Sequence, residues 1–223
     1  TEARFVKLRV LSGASPRVLE MIEVRLLESV RAGYEPLFTR APGVRLWKGS
    51  PREAAQRGLD WLQQSAMDWT AVQRCFGCHV HAQALMGQAV ALKQRYRVSM
   101  PAMQAIARFM REQQTPVGTL GSNHEWSSAI FGAMGFAYAA DVSGRTSDPE
   151  LFKAADYLLT IQAKDGSMPE EYSEPPIVQG KIMLTANALV AFKWAAAHSA
   201  DPKYGQAAGR ALGSGARAGD RRV

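Results

Sequence analysis

From Ser50 onward, apolar side chains recur at helical spacing and predict a succession of α-helices. Capping boxes begin at Ser50 and Ser122, and Asp148 followed by proline opens another helix. The pattern predicts helices at about residues 50–67, 78–96, 100–114, 122–140, 148–163 and 181–198, with a seventh from Asp201. The fold expected from this pattern is all-α.

The two ends of the chain differ from this helical part. Residues 1–49 mix a short extended segment (5–11) with helical spacing (18–30), and they predict an N-terminal extension of mixed structure without an assignable function. Residues 213–223 are rich in glycine and arginine and predict a flexible basic tail. The predicted helical domain therefore spans residues 50–212.

Similar residues recur at an offset of 48 positions within this domain. The matching sets are Trp61, Phe109 and Tyr157; Leu62, Met110 and Leu158; Gln114 and Gln162; and Gly118 and Gly166. Each unit is an αα-hairpin, repeated three times with a partial fourth. Because one hairpin cannot bury its apolar face alone, the units are expected to pack side by side.

Two segments of the repeat carry a family resemblance. Residues Gln162 to Met168 resemble the Q-x-x-D-G-S-W loop of the squalene cyclase and prenyltransferase repeats, with Met168 where tryptophan is usual. Residues 185–189 are similar to the start of that family's inner helix. The resemblance covers about residues 50–212 and implies an α/α toroid, complete or as an open arc. The aspartate-rich cyclisation motif and the zinc-ligand set of that family are absent, so terpene chemistry is not implied.

The 223-residue chain has a formal net charge of +7, which permits nucleic acid, anionic lipid or an acidic protein as partner. The basic residues are dispersed and form no recognised nucleic-acid motif, so we expect no nucleic acid. No apolar run reaches the roughly 18 to 20 residues that span a bilayer. Membrane association is expected only through a partner. A secretory signal would be missing from a processed chain, so its absence at Thr1 leaves an extracytoplasmic location open.

Both cysteines of the chain lie in the run Cys75-Phe76-Gly77-Cys78-His79. A disulfide across so short a loop would stabilise little, so the pair indicates chemistry rather than cross-linking. The spacing supplies two thiols for thioether bonds and one imidazole for iron. The run resembles the attachment signature of cytochromes c, which implies one covalent haem c on Cys75 and Cys78, His79 as iron ligand, and maturation in the periplasm or its equivalent.

Other interpretations of the two cysteines stay open. A thioredoxin-type dithiol would follow a strand in a βαβ unit, whereas residues 59–73 are predicted as helix and loop. Cys75 and Cys78 could also bind zinc together with a distant histidine. The spacing could, finally, occur by chance without any cofactor.

The repeat also nominates a second iron ligand. His124 follows His79 by 45 residues and opens the second helix of the next hairpin, so both are expected at one rim. The alternative for His124 is a solvated helix cap. Met168 and Met183 are thioether candidates that fit core packing equally well. His81 is expected to reach a haem propionate or to lie on the surface.

Three aromatic residues near the run, Trp69, Phe76 and Trp126, are candidates for the apolar wall of a porphyrin, and ordinary packing between helices explains them equally well. The expected function is electron transfer by a monohaem c-type cytochrome within a larger redox assembly, with an acidic redox protein as partner. An electron carrier fits better than a catalyst. Alternatives are a haem enzyme or sensor with an open distal site, and a non-haem α/α-toroid binding or terpene-processing protein with a CxxCH metal site.

Overall fold

The computed structural model describes residues 49–73, 76–121, 124–170 and 180–219. The chain divides into two units after Lys48, and all described residues belong to the second unit. The predicted N-terminal extension therefore lies outside the described residues, apart from Gly49. The described part contains seven helices and no strand, so the predicted all-α fold is confirmed. The helices are α1 (Pro51–Gln73), α2 (Cys78–Lys93), α3 (Met100–Glu112), α4 (Glu125–Val142), α5 (Pro149–Ile161), α6 (Lys181–His198) and α7 (Pro202–Gly219).

Side-chain caps fix where the odd-numbered helices begin. At α1 the predicted capping box forms: the Ser50 N–H donates to Glu53 Oε2 at 2.7 Å, and the Glu53 N–H donates to Ser50 Oγ at 3.3 Å. Ser99 Oγ and Asp148 Oδ1 each accept an N–H three residues on, at 3.3 Å and 3.2 Å. These bonds satisfy N–H groups that have no partner inside a helix.

Several helix boundaries differ from the predicted ones, and three of the differences concern the site or the tail. Helix α1 continues to Gln73, six residues beyond the predicted end, because its last turns pack against the start of α2. Helix α4 begins at Glu125 with His124 as its N-cap, while the predicted start at Ser122 falls outside the described residues. Helix α7 continues to Gly219, so residues 213–219 of the predicted tail are helical.

The helices form two layers with different side-chain patterns. Helices α2, α4 and α6 lie side by side, and α4 contacts both of the others. They are apolar around most of their circumference, and α4 is buried almost throughout. The outer helices α1, α3, α5 and α7 are amphipathic and turn one apolar face inward. The core therefore centres on α4.

Helices α2 and α4 run parallel. A Cβ atom added at Gly135, just past the middle of α4, would lie 3.1 Å from Ala82 Cα in the first half of α2. At their C-terminal ends Lys93 forms an ion pair with Asp141. Since both sequence numbers increase together along the contact, the two helices point the same way.

Helix α6 also runs parallel to α4, since both are antiparallel to α5. The Tyr157 hydroxyl near the end of α5 donates to Glu125 Oε1 at the start of α4, at 2.8 Å. The ring of Phe152 near the start of α5 lies 5.5 Å from that of Trp194 near the end of α6. The three inner helices therefore have their N-termini at one end of the domain.

The 48-residue repeat reappears in two equivalent loops. Gly118 and Gly166 have φ angles of +99° and +89°, which side chains disfavour. The Gln114 amide donates to a backbone carbonyl of α5 at 2.8 Å, and the Gln162 amide donates to one of α7 at 3.0 Å. Each loop is thereby fastened to the next outer helix, which makes the domain a stack of αα-hairpins.

A membrane-spanning helix is not found in the part of the chain that the structure describes, since no helix there is both long and apolar enough.

Candidate haem site

The CxxCH run lies where the chain passes from α1 to α2. Gly77 is the N-cap of α2, and Cys78 and His79 are the first residues of the helix. Cys75 lies outside the described residues, as does the side chain of Cys78. His79 is half-buried at the end of the domain where the inner helices begin. The histidine of the motif is thus held by the first turn of a helix rather than by an irregular loop.

Trp69 of α1 holds the middle of the run. A Cβ atom added at Gly77 would lie 2.8 Å from Trp69 Nε1, so only glycine admits this approach of the indole. The Trp69 ring also meets the His79 ring edge-on, with 6.5 Å between centroids. Trp69 Nε1 is buried and has no hydrogen-bond partner among the described residues. A buried donor of this kind carries a desolvation cost unless a partner binds there.

His81 does not lie at the surface, so this part of the expectation for the residue is wrong. Its side chain is 0% exposed and stacks on Phe76, with 5.9 Å between ring centroids. The Gly77 N–H donates to His81 Nδ1 at 3.2 Å, and His81 Nε2 lies 2.9 Å from Thr70 Oγ1. The imidazole therefore joins the CxxCH loop to the end of α1.

The hydrogen bonds also define the protonation of His81. Because Nδ1 accepts the Gly77 N–H, the ring proton is on Nε2 and is donated to Thr70 Oγ1. Thr70 Oγ1 in turn donates to the Ala66 carbonyl at 3.1 Å. Burial lowers the pKa of His81 below its ordinary value of 6.5, and the nearby charge of His79 acts in the same direction. The structure thus contains a neutral His81 with a positioning role.

Phe76 packs inside the protein. It is 3% exposed, and its ring reaches α4, where a Cβ atom added at Gly132 would lie 3.9 Å from Phe76 Cζ. This contact and the stack on His81 are ordinary core packing, one of the two interpretations of Phe76. Its contact with a haem stays a prediction.

His124 and Trp126 lie at the same end of the domain as His79. His124 is the N-cap of α4, without a capping bond from its side chain, and Trp126 is 38% exposed in the first turn. From the contact of Ala82 with Gly135, α4 extends about six residues, or about 9 Å, further than α2 at this end. The two histidines therefore share an end of the domain at different heights, and ligation by His124 stays a prediction.

The two methionine candidates lie deeper. Met168 is 0% exposed, and its N–H donates to Thr185 Oγ1 of α6 at 2.9 Å. Met183 is half-buried and packs against the core. Apolar side chains closer to the surface at this end are Val72, which is 74% exposed, and Ile182, which is 57% exposed.

Sequence reasoning missed the positioning role of His81, although a signal was present. His81 is followed at helical spacing by Leu85, which is 0% exposed, and by Gln88, which is 1% exposed. This stripe is the buried face of α2. The partners of His81, by contrast, come from α1 and α3, where Phe109 lies 5.1 Å from the imidazole. Contacts between helices are not visible in one sequence.

Comparisons with known proteins give no relative. No family model, no curated protein and no solved structure matches the chain. Among the residues that the structure describes, no group of three or more histidine, cysteine, aspartate or glutamate side chains is arranged to hold a metal ion.

Proposed function

We propose that this protein is a monohaem c-type cytochrome that transfers electrons. The observation that carries the proposal is the CxxCH run at the start of an inner helix, with His79 in the first turn beside Trp69. One haem would be bound through thioethers to Cys75 and Cys78, and His79 would provide a ring nitrogen to the iron. Bound there, the haem supplies one-electron redox chemistry.

The surroundings of His79 fit a flat, mostly apolar group with carboxylates at its edge. The Nε1–H of Trp69, which is buried and has no partner in the described part of the chain, suits a carboxylate oxygen as acceptor. The exposed apolar side chains of Val72, Trp126 and Ile182 lie at the same end of the domain and would be removed from water by a bound porphyrin. His124, also at this end, is the proposed second iron ligand.

The proposal also includes where the protein is located and which partner it exchanges electrons with. Haem attachment at CxxCH implies maturation outside the cytoplasm, so a periplasmic or equivalent location belongs to the proposal. The net charge of +7 favours an acidic redox protein as partner, within a larger assembly. Such attraction would raise the association rate and would weaken as salt screens the charges.

The test is expression of the whole chain in bacteria with and without a cytochrome c maturation system. We expect one covalent haem per chain in a pyridine haemochrome assay, with a matching reduced-minus-oxidised spectrum. Cys78→Ser should lose one thioether and change the haemochrome band, whereas Ser65→Ala, a change on α1 outside the motif, should leave it intact. A haem-free protein with one bound zinc ion per chain would overturn the proposal and support the metal-site alternative.

The second iron ligand can be tested on the haem-loaded protein. We expect a six-coordinate, low-spin spectrum that becomes high-spin in His124→Ala, with Met183→Leu as the unchanged control. A low-spin spectrum that survives His124→Ala would exclude His124 as the ligand. Rapid binding of carbon monoxide or cyanide by the unsubstituted protein would indicate an open distal site and favour the enzyme or sensor alternative.

A further inference from the structure

A groove of about 380 Å³ lies between α3 and the end of α4, and nothing in the proposed function uses it. One wall is a continuous face of α3, and the other side is formed by the last turn of α4 and by the loop that leads to α5. Its lining residues are Met100, Met103, Gln104, Ala107, Arg108, Arg111, Ala139, Ser143 and Arg145. A volume of this order holds a small organic molecule.

The groove is lined both by apolar side chains and by arginines. Ala139 of α4 and Ser143, the C-cap of that helix, are small and line the groove together with the methionines of α3. Three guanidinium groups, those of Arg108, Arg111 and Arg145, line the same space. A ligand that matches both parts has an apolar body and a negatively charged head.

The charges around the groove leave one positive charge uncompensated. Asp148, which is 0% exposed, accepts from Arg111 at 2.6 Å and from Arg145 at 3.4 Å. Glu150 approaches Arg111 Nε at 3.8 Å, which is an ion pair without a hydrogen bond. Arg108 is exposed, and among the described residues it has no ion-pair or hydrogen-bond partner. Three guanidinium groups thus face two carboxylates.

The two paired arginines keep donors for a ligand. A guanidinium has five N–H groups, and the bonds to Asp148 engage one nitrogen of Arg111 and one of Arg145. Asp148 also caps α5, so it holds the two side chains against a rigid element. Guanidinium forks bind carboxylates through two parallel N–H···O bonds, which gives them geometric preference for that head group.

We propose that this groove binds a small organic monocarboxylate. The carboxylate would be bound by Arg108, with the remaining donors of Arg145, and the apolar body would lie over Met100, Met103 and Ala107. The single uncompensated charge favours a monoanion over a dianion such as a phosphate monoester. The groove is lined by Ala139 and Ser143 at the end of α4, whereas Phe76 of the CxxCH run reaches α4 at Gly132, seven residues before Ala139. The two sites share no residue, so this proposal does not depend on the haem.

The test is isothermal titration calorimetry of the whole protein with hexanoate, acetate and 1-hexanol. Hexanoate should bind measurably more tightly than acetate, which lacks the apolar chain, and than 1-hexanol, which lacks the charge. Arg108→Gln should weaken hexanoate binding roughly tenfold. Arg97→Gln, a change at another exposed arginine that lies outside the groove, should leave the affinity unchanged.

A second variant separates loss of binding from loss of fold. Ser143→Leu places bulk in the groove without removing a charge, and Ser143 is exposed, so the helical circular dichroism spectrum should persist while hexanoate binding is lost. Equal affinities for hexanoate and acetate would overturn the apolar part of the site. Equal hexanoate affinities in the unsubstituted protein and in Arg108→Gln would overturn the site itself.

Discussion

At the scale of single residues, the contact between Trp69 and Gly77 determines how the CxxCH loop is held. The indole occupies the space that any Cβ at position 77 would need. His81 fixes the same loop from the other side by accepting the Gly77 N–H. Trp69 and His81, from two different helices, therefore fix the position of Gly77. Because Gly77 is the N-cap of α2, they also fix where the first turn of α2 begins.

We expect Gly77→Ala to destabilise the protein by about 1–3 kcal/mol, because the new methyl group displaces Trp69 or the loop. The measurement is urea unfolding followed by circular dichroism. Gly58→Ala is the matched control: it lies within α1 with nothing within 4 Å of an added Cβ, so it should stabilise by about 0.5–1 kcal/mol. Equal effects of the two substitutions would show that Trp69 does not confine position 77.

The CxxCH run can be recognised from sequence because its chemistry depends on spacing alone. The residues that support it cannot be recognised in this way, since their partners are set by helix packing. Trp69 was a candidate for a porphyrin wall, and the structure adds its contacts with Gly77 and His79. His81 was expected to reach a haem propionate or to lie on the surface, and it is buried because its imidazole contacts Thr70 of α1 and Phe109 of α3.

At the scale of helices, sequence predicts the existence of elements better than their ends. The starts predicted from caps at Ser50 and Asp148 agree with the bonds observed. The start predicted from a capping box at Ser122 does not, because α4 begins at Glu125 with His124 as its N-cap. The end of α1 was placed too early, because its last turn is stabilised by tertiary contact with α2 rather than by its own sequence. Side-chain capping depends on residues within one helical turn and can be recognised from sequence. How far a helix continues depends on tertiary contacts, which cannot.

Asp148 combines a helix cap with a buried ion pair, so its loss should be costly. We expect Asp148→Ala to destabilise the protein by about 3–5 kcal/mol, since α5 loses its cap and Arg111, which is 19% exposed, loses its nearest carboxylate. Thermal and urea unfolding measure the effect. The control is Asp60→Ala, whose ion pair with Arg97 is 3.9 Å long and exposed, with an expected change below about 0.5 kcal/mol. A similar loss of stability in both variants would show that the cap and the buried ion pair of Asp148 contribute no more than an exposed ion pair.

At the scale of the whole domain, stability depends on how each hairpin fits the next outer helix. A Cβ atom added at Gly118 would collide with the carbonyl oxygen of Lys153 on α5, and one added at Gly166 with that of Arg210 on α7. The repeat could be recognised from sequence through these glycines and their paired glutamines. That these glycines are contact points between hairpins could not be recognised from sequence, because it depends on how the helices pack.

We expect Gly118→Ala and Gly166→Ala each to destabilise the domain by about 2–5 kcal/mol, because a disfavoured φ and a backbone collision add together. Gly144→Ala is the control: its φ is +62° but nothing lies within 4 Å of an added Cβ, so about 1–2 kcal/mol should be lost. Differential scanning calorimetry of the three variants compares them directly. If Gly144→Ala were as damaging as the other two, backbone strain alone would explain the effect.

The parallel direction of α2, α4 and α6 has an electrostatic consequence. Each α-helix carries about half a positive elementary charge at its N-terminus, and these three N-termini lie at one end of the domain. The first turns of α2 and α6 contain no acidic residue to offset them. The aligned dipoles create a positive potential at this end, which lowers the energy of an added electron. A redox centre held there is easier to reduce than the same centre at the opposite end of these helices would be.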